Sequence, residues 1–252
     1  MINKDSFSSD YIKSLQTKYS LDPALLERVV YAFGLLEAFK KVEMPFIFKG
    51  GTCLILLLDK PMRLSTDIDI IVNPLLNVDK YIEKISDIFP FKSFEEQKRK
   101  GKNNIEKRHF KFIYESPITK KKIYILLDIL FEDNNYQLLL EKEINNDLLK
   151  TEGDNYTVFV PSIDCILADK LTAFAPHTIG IPVNKNKDME VMKQMFDICT
   201  LVDYISSFED FIESYEKIAK QEIEYCGIPI GINNVLEDTI TVSKKYSCFG
   251  SL

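Results

Sequence analysis

The sequence predicts an α+β fold: a mixed sheet flanked by helices over residues 1–160, then a helical part over 161–252. Three observations carry this. Short apolar runs in the front half are cut by Gly50-Gly51, Asn73-Pro74 and Pro161 into strand-sized pieces between amphipathic stretches. Arg108–Tyr114 and Ile123–Phe131 flank Glu115–Lys122, with Pro117 in the turn, as an antiparallel hairpin would. Beyond Pro161 the apolar spacing is helical throughout.

The elements follow in order. Asp22-Pro23 opens a helix, because Asp accepts from free backbone N–H groups and Pro fits the first helical position. Leu25, Leu26, Val29, Val30, Phe33, Leu36 and Phe39 carry that helix to about Glu43, before Met44-Pro45. Phe46–Phe48 reads as a buried strand, Thr52–Leu58 as a short apolar helix, and Asp67–Val72 as a second strand. Leu75–Phe89 is expected to be helical, Lys98–Lys107 a loop, Tyr136–Leu149 a helix and Tyr156–Val160 the last strand. Ser162 caps a helix running to about Ala175, and Pro176–Asn186 connects it to helices near Asp188–Tyr204, Ser207–Tyr225 and Asn233–Lys245.

Composition narrows the chemistry. With 46% hydrophobic and 28% charged residues, the 252-residue chain is an ordinary globular one. The longest apolar run, Cys53–Leu58, is far short of a membrane span, and the polar Met1–Asp10 segment does not read as a signal peptide. The five cysteines form no C-x-x-C pair, which favours reduced thiols in a cytoplasmic protein over a disulfide frame or zinc site. Only two histidines are present, His109 and His177, so chemistry is expected to rest on carboxylates, lysines and a hard cation. The net charge is −6, yet Lys98–Lys122 holds ten Lys/Arg against two acids. One basic face on an acidic body is the expectation; a solvated lysine-rich hairpin is the plainer alternative.

The densest chemical signal runs from Lys49 to Asp69. A Gly-Gly pair between strand and helix lets backbone approach a ligand, and the helix start at Thr52 offers N–H groups and a positive dipole end to phosphate. Asp67 and Asp69, two apart on an expected strand, place both carboxylates on one side. Such a pair repels itself unless a cation lies between, and Mg²⁺ takes a few carboxylates together with substrate phosphates. Asp128 is the single charge in the apolar run Ile123–Phe131, a costly placement unless something satisfies it. Lys170 lies on the apolar stripe of Ile163, Ile166, Leu167, Leu171 and Phe174, so it must snorkel or meet an anion. Asp197, four residues after Lys193, reads equally as a helix ion pair. Three strand carboxylates, a Gly-Gly turn and a phosphate-binding helix fit metal-assisted nucleotidyl transfer.

The run K-G-G-T-x(10)-R-x-S-x-D-I-D resembles the AbiEii/AbiGii-type nucleotidyltransferase toxin family, as do Ala168–Ala173 and the segment Lys193…Phe196–Leu201. The likeness spans about 46–202. Cys199-Thr200 stands where that family often has a second acid, and Thr52 where related chains have Ser. The resemblance implies a fold like the DNA polymerase β-type nucleotidyltransferases and the toxin half of a bacterial toxin–antitoxin or phage-defence pair. It implies Asp67 and Asp69 as ligands of Mg²⁺ or Mn²⁺; the strand reading adds Asp128, which would bind a second metal or take the acceptor's proton. Lys49, Gly50, Gly51, Thr52, Arg63, Ser65 and Lys170 would hold an NTP, and Asp197 would complete the pocket. An RNA acceptor, tRNA by resemblance, would lie on Lys100, Lys102, Arg108 and Lys111, and a cognate antitoxin is the expected partner. A protein hydroxyl or small metabolite such as an antibiotic is the alternative acceptor, and a non-enzymatic nucleotide- or partner-binding protein the second alternative.

Overall fold

A computed structural model describes residues 1–97, 106–183 and 186–247. The contact pattern separates two compact units. One takes the described residues within 1–100, 106–133 and 140–160; the other takes those within 134–139 and 161–252.

The first unit is built on a seven-stranded mixed sheet in the order β3-β4-β5-β2-β1-β7-β6. Its strands are β1 (Ile47–Lys49), β2 (Ile68–Val72), β3 (Ser93–Gln97), β4 (Lys107–Glu115), β5 (Lys122–Phe131), β6 (Leu139–Glu143) and β7 (Thr157–Pro161). β2 runs antiparallel to β1 and parallel to β5, and β4 runs antiparallel to both β3 and β5. Helices α1 (Ser9–Tyr19), α2 (Pro23–Lys41), α3 (Gly50–Leu57) and α4 (Asp79–Ser86) complete the unit.

α2 begins where Asp22-Pro23 predicts, with the Asp22 carboxylate accepting from the Leu25 N–H at 2.9 Å. Its face packs on β2 and β5, and Tyr31 stacks on Tyr114 of β4 with ring centroids 3.8 Å apart. Alternation along the strands then divides the sheet. Phe48, Ile68, Ile70, Phe110, Phe112, Tyr114, Ile125, Leu127 and Ile129 are buried, while Lys49, Asp69, Lys107, His109, Lys111 and Asp128 project on the other face.

Four elements differ from the sequence reading. The helix expected over Tyr136–Leu149 is instead β6 and turns. Its leucines and Glu/Lys residues favour a helix, but pairing with β7 overrides that preference. Within this pairing the Thr157 hydroxyl donates to Glu141 at 2.5 Å. The helix expected over Leu75–Phe89 is confined to α4. The Asn73 and Asn77 side chains accept from the Leu75 and Asp79 N–H groups and hold the preceding chain in local turns. β3 and α1 have no counterpart in the expected elements. β3 is a charged edge strand of the kind that resists further pairing, and α1 is capped by Ser8.

The second unit packs α5 (Ile163–Ala173) against α6 (Asp188–Leu201) and α7 (Phe208–Cys226), with α8 (Ile232–Ser247) on α5 and α7. Ser162 caps α5 as expected, accepting from the Cys165 N–H at 3.3 Å. Buried Asp164 accepts from the Ser206 N–H and hydroxyl at 2.9 and 2.8 Å. Among the described residues no helix is long and apolar enough to cross a membrane.

One buried acid has a measurable consequence. Glu27 of α2 is 1% exposed and accepts a hydrogen bond from Ser116 in the β4–β5 turn at 2.8 Å. Burial pushes its carboxyl above the ordinary carboxylate value, and the Ser116 hydroxyl opposes that rise. The folded chain therefore keeps this proton to higher pH than the unfolded chain does. That stabilisation is complete below the unfolded pKa and is lost as pH rises through the folded one. Glu27→Gln is expected to flatten the decline in urea midpoint as pH rises out of the carboxylate range; a slope equal to wild type would contradict it.

Candidate active site

The sheet register lines up one row of polar side chains. Lys49 is paired with Asp69, Asp69 with Asp128, and Asp128 with His109, so four residues from β1, β2, β5 and β4 stand side by side. They line a cavity of about 210 Å³ together with Lys107. The His109 Nδ1 lies 2.6 Å from Asp128 Oδ1, with the imidazole 13% exposed. Neighbouring strands are only about 4.8 Å apart, so Asp69 and Asp128 put like charges close together. Lys49 and His109 flank them at the two ends of the row.

The Gly-Gly turn is fitted to the same row. Gly50 has φ +79°, and a Cβ there would stand 2.1 Å from Asp69 Oδ2. A Cβ on Gly51 would stand 2.8 Å from Arg63 Nη2 and 3.0 Å from Ser65 Oγ. Gly50 thus requires glycine, by its backbone angle and by the approach of Asp69, while at Gly51 the flexible end of Arg63 would have to give way; the turn gathers Arg63, Ser65 and Asp69 around the start of α3. Thr52 differs from expectation. It is buried, and its hydroxyl donates to the Asp67 carbonyl at 2.6 Å, so it ties the turn to the entry of β2.

Asp67 precedes β2, which begins at Ile68. Strand alternation therefore fixes the direction of Asp69 but not that of Asp67. The Asp67 Oδ1 lies 3.8 Å from Arg28 Nη2 on α2. Arg28 was not among the expected site residues; it sits beside the apolar stripe of its helix, and nothing in local spacing links it to Asp67.

His109 is the other residue that the sequence reading left aside. Its signal was present in the hairpin. Once the turn closes with Glu115 opposite Lys122, counting back pairs His109 with Asp128.

Among the described residues no three His, Cys, Asp or Glu side chains close on one point. The donor chemistry nevertheless suits a hard cation. Mg²⁺ is held by one or two carboxylates plus substrate phosphates and water, and Asp69 and Asp128 are adjacent carboxylates lining one cavity.

The remaining expected residues are distributed as follows. Arg108 is drawn into the fold: it forks onto Glu96 at 2.7 and 3.0 Å and reaches Asp79 at 2.8 Å, which raises its pKa. Lys111 lies over the Tyr124 ring at 4.4 Å from the centroid. Lys100 and Lys102 lie outside the described residues. In the helical unit the Lys170 ammonium meets Asp197 at 3.0 Å, with side chains 7% and 2% exposed. The anion that its place on an apolar stripe demands is thus present on α6.

These features define a nucleotidyltransferase-like site: a glycine turn at a helix start, adjoining carboxylates on neighbouring strands. The chain matches the family of the nucleotidyl transferase AbiEii toxin of type IV toxin–antitoxin systems over residues 34–241, and it belongs to that family. It is a nucleotidyltransferase of the toxin class. It is similar to a nucleotidyltransferase-like antigenic protein from Paracoccidioides brasiliensis, with 14% identity, TM-score 0.45, and coverage of 88% of this chain and 93% of that one. It is also similar to JHP933 from Helicobacter pylori, with 15% identity, TM-score 0.41, and coverage of 80% and 94%. No curated protein matches the chain.

The Lys170–Asp197 pair supports a stability experiment. Removing Asp197 leaves the Lys170 ammonium buried without its carboxylate, a loss of about 3–5 kcal/mol. Asp197→Leu is expected to lower the unfolding free energy on that scale, and adding Lys170→Met should recover most of it. Urea titration of the single and double variants checks this.

Proposed function

We propose that the protein transfers a nucleoside monophosphate from an NTP to RNA, with tRNA the acceptor that the family resemblance favours. The observation that carries nucleotidyl transfer is the Asp69–Asp128 pair in register beside a glycine turn with no room for a Cβ. In this reading Gly50, Gly51, Arg63 and Ser65 hold the triphosphate, and Lys49 balances charge at the row's end. Asp67 and Asp69 would hold Mg²⁺ or Mn²⁺, which when bound would neutralise phosphate charge. The acceptor hydroxyl oxygen bonds to the α-phosphorus as the bond to the bridging oxygen breaks, and pyrophosphate leaves. Asp128 takes the hydroxyl proton. Lys170, held by Asp197, is assigned to triphosphate binding by the family resemblance alone.

The RNA reading rests on the basic strand β4. Arg108 is already matched by acids, so Lys107 and Lys111 are the cations left to meet phosphate, on the same face as His109. Exposed Tyr124, beneath Lys111, offers an aromatic surface for a base. A protein hydroxyl or small metabolite is the competing acceptor. The family also implies a cognate antitoxin and a role in defence against phage, in the cytoplasm.

Two experiments test this reading. Asp69→Ala should abolish labelling of bulk tRNA by α-labelled NTPs and relieve toxicity while the melting temperature holds. Near-wild-type labelling would defeat the metal reading. Lys107→Glu with Lys111→Glu should weaken tRNA binding and flatten its salt dependence by roughly two counterions, leaving NTP affinity unchanged. An unaltered salt slope would transfer the proposal to a protein or metabolite acceptor.

A further inference from the structure

We infer that His109 is a positioning residue, which fixes the Asp128 carboxylate in the orientation that nucleotidyl transfer requires. The inference rests on the reading of Asp128 given above and adds to it a residue whose place is set by the fold. Asp128 sits on a strand whose neighbours are apolar, and among the described residues His109 is its hydrogen-bond partner. A carboxylate that is to serve the reaction accepts in this contact, so the inference puts its proton on His109 Nδ1. The 2.6 Å separation is short, in the manner of a charge-assisted bond. It holds Oδ1 against β4 and leaves Oδ2 for the cavity that both residues line.

The register supports a purpose beyond packing. His109 and Asp128 are directly paired across β4 and β5, and Asp128 is directly paired with Asp69 across β2. A carboxylate with one oxygen anchored on the far strand cannot turn away from Asp69 under their mutual repulsion. The anchor is also protected: the imidazole is mostly enclosed, and the strand bearing it is paired on both edges. A reacting carboxylate left to rotate would sample the productive geometry only part of the time, and loss of such supporting partners costs about 10–100-fold in known sites.

Three variants separate orientation from packing, assayed by labelling of bulk tRNA with α-labelled NTPs. His109→Phe keeps the ring volume and removes the donor. His109→Asn places an amide N–H close to the position of Nδ1, and His109→Gln places it one carbon farther. We expect His109→Phe to lose at least about tenfold in kcat, with NTP affinity by calorimetry and NTP KM within twofold of wild type. His109→Asn should return to within about threefold of wild type, and His109→Gln should not. Wild-type turnover in His109→Phe overturns the inference, as does an Asn variant no better than a folded Phe or Gln variant. If His109→Phe does not fold, the Asn-to-Gln comparison decides alone. An acceptor-independent measurement completes the set. ¹⁵N-edited NMR should place the His109 proton on Nδ1 in wild type and show that signal displaced in Asp128→Ala; a proton on Nε2 alone overturns the inference. Wild-type protein that labels no tRNA defeats the RNA acceptor instead, and the NMR result still decides His109.

Discussion

Everything in the front unit depends on the register of β2 between β1 and β5. That one alignment brings Lys49, Asp69 and Asp128 abreast, and the β4–β5 hairpin adds His109. A slip of β2 by one residue would turn Asp69 into the apolar layer beneath α2, away from Asp128, and expose Ile68 and Ile70. The apolar face therefore enforces the polar one. Burial of the isoleucines and phenylalanines selects the register, and the register sets two anions side by side at a cost that only cations or tightly held donors offset.

The same trade between burial and charge recurs at a distance from the row. Glu27 ties α2 to the hairpin turn through Ser116, and Arg108 ties β4 to α4 and β3 through Asp79 and Glu96. Both contacts brace the hairpin whose pairing delivers Asp128 and His109. In the helical unit Lys170 and Asp197 neutralise one another between α5 and α6. Polar groups are thus placed where they fix the relative setting of elements, and apolar residues supply the bulk of the driving force.

Much of this was legible in the chain. Asp22-Pro23 and Ser162 mark helix starts because capping is local chemistry, and both caps are formed. The paired strands around Pro117 follow from alternation and turn composition. Gly50, Gly51 and Asp69 were legible as a unit, and the structure brings them together with Arg63 and Ser65. The residues from 139 to 143 were not legible, since their leucines, Glu141 and Lys142 suit a helix and only the presence of β7 makes them a strand. Ser93–Gln97 lacks the apolar alternation of a central strand because it lies at the sheet's edge. Arg28 meets Asp67 across the rest of α2, β1 and α3, a contact that no local pattern encodes. The His109–Asp128 pairing lay between these cases: the hairpin register contained it, but only after the turn had been aligned residue by residue.

The glycine at position 50 carries a genetic consequence. Its backbone angle and the oxygen of Asp69 leave no space for any side chain, yet every missense change at a glycine codon introduces one. The crowded oxygen belongs to a side chain on the polar face and not to the apolar packing, so such alleles would strike the proposed site while leaving the core of the sheet in place. On the proposed reading, cells would escape a toxin of this kind by a single nucleotide change that leaves a full-length, folded and inert protein, still available to whatever else in the cell recognises its surface.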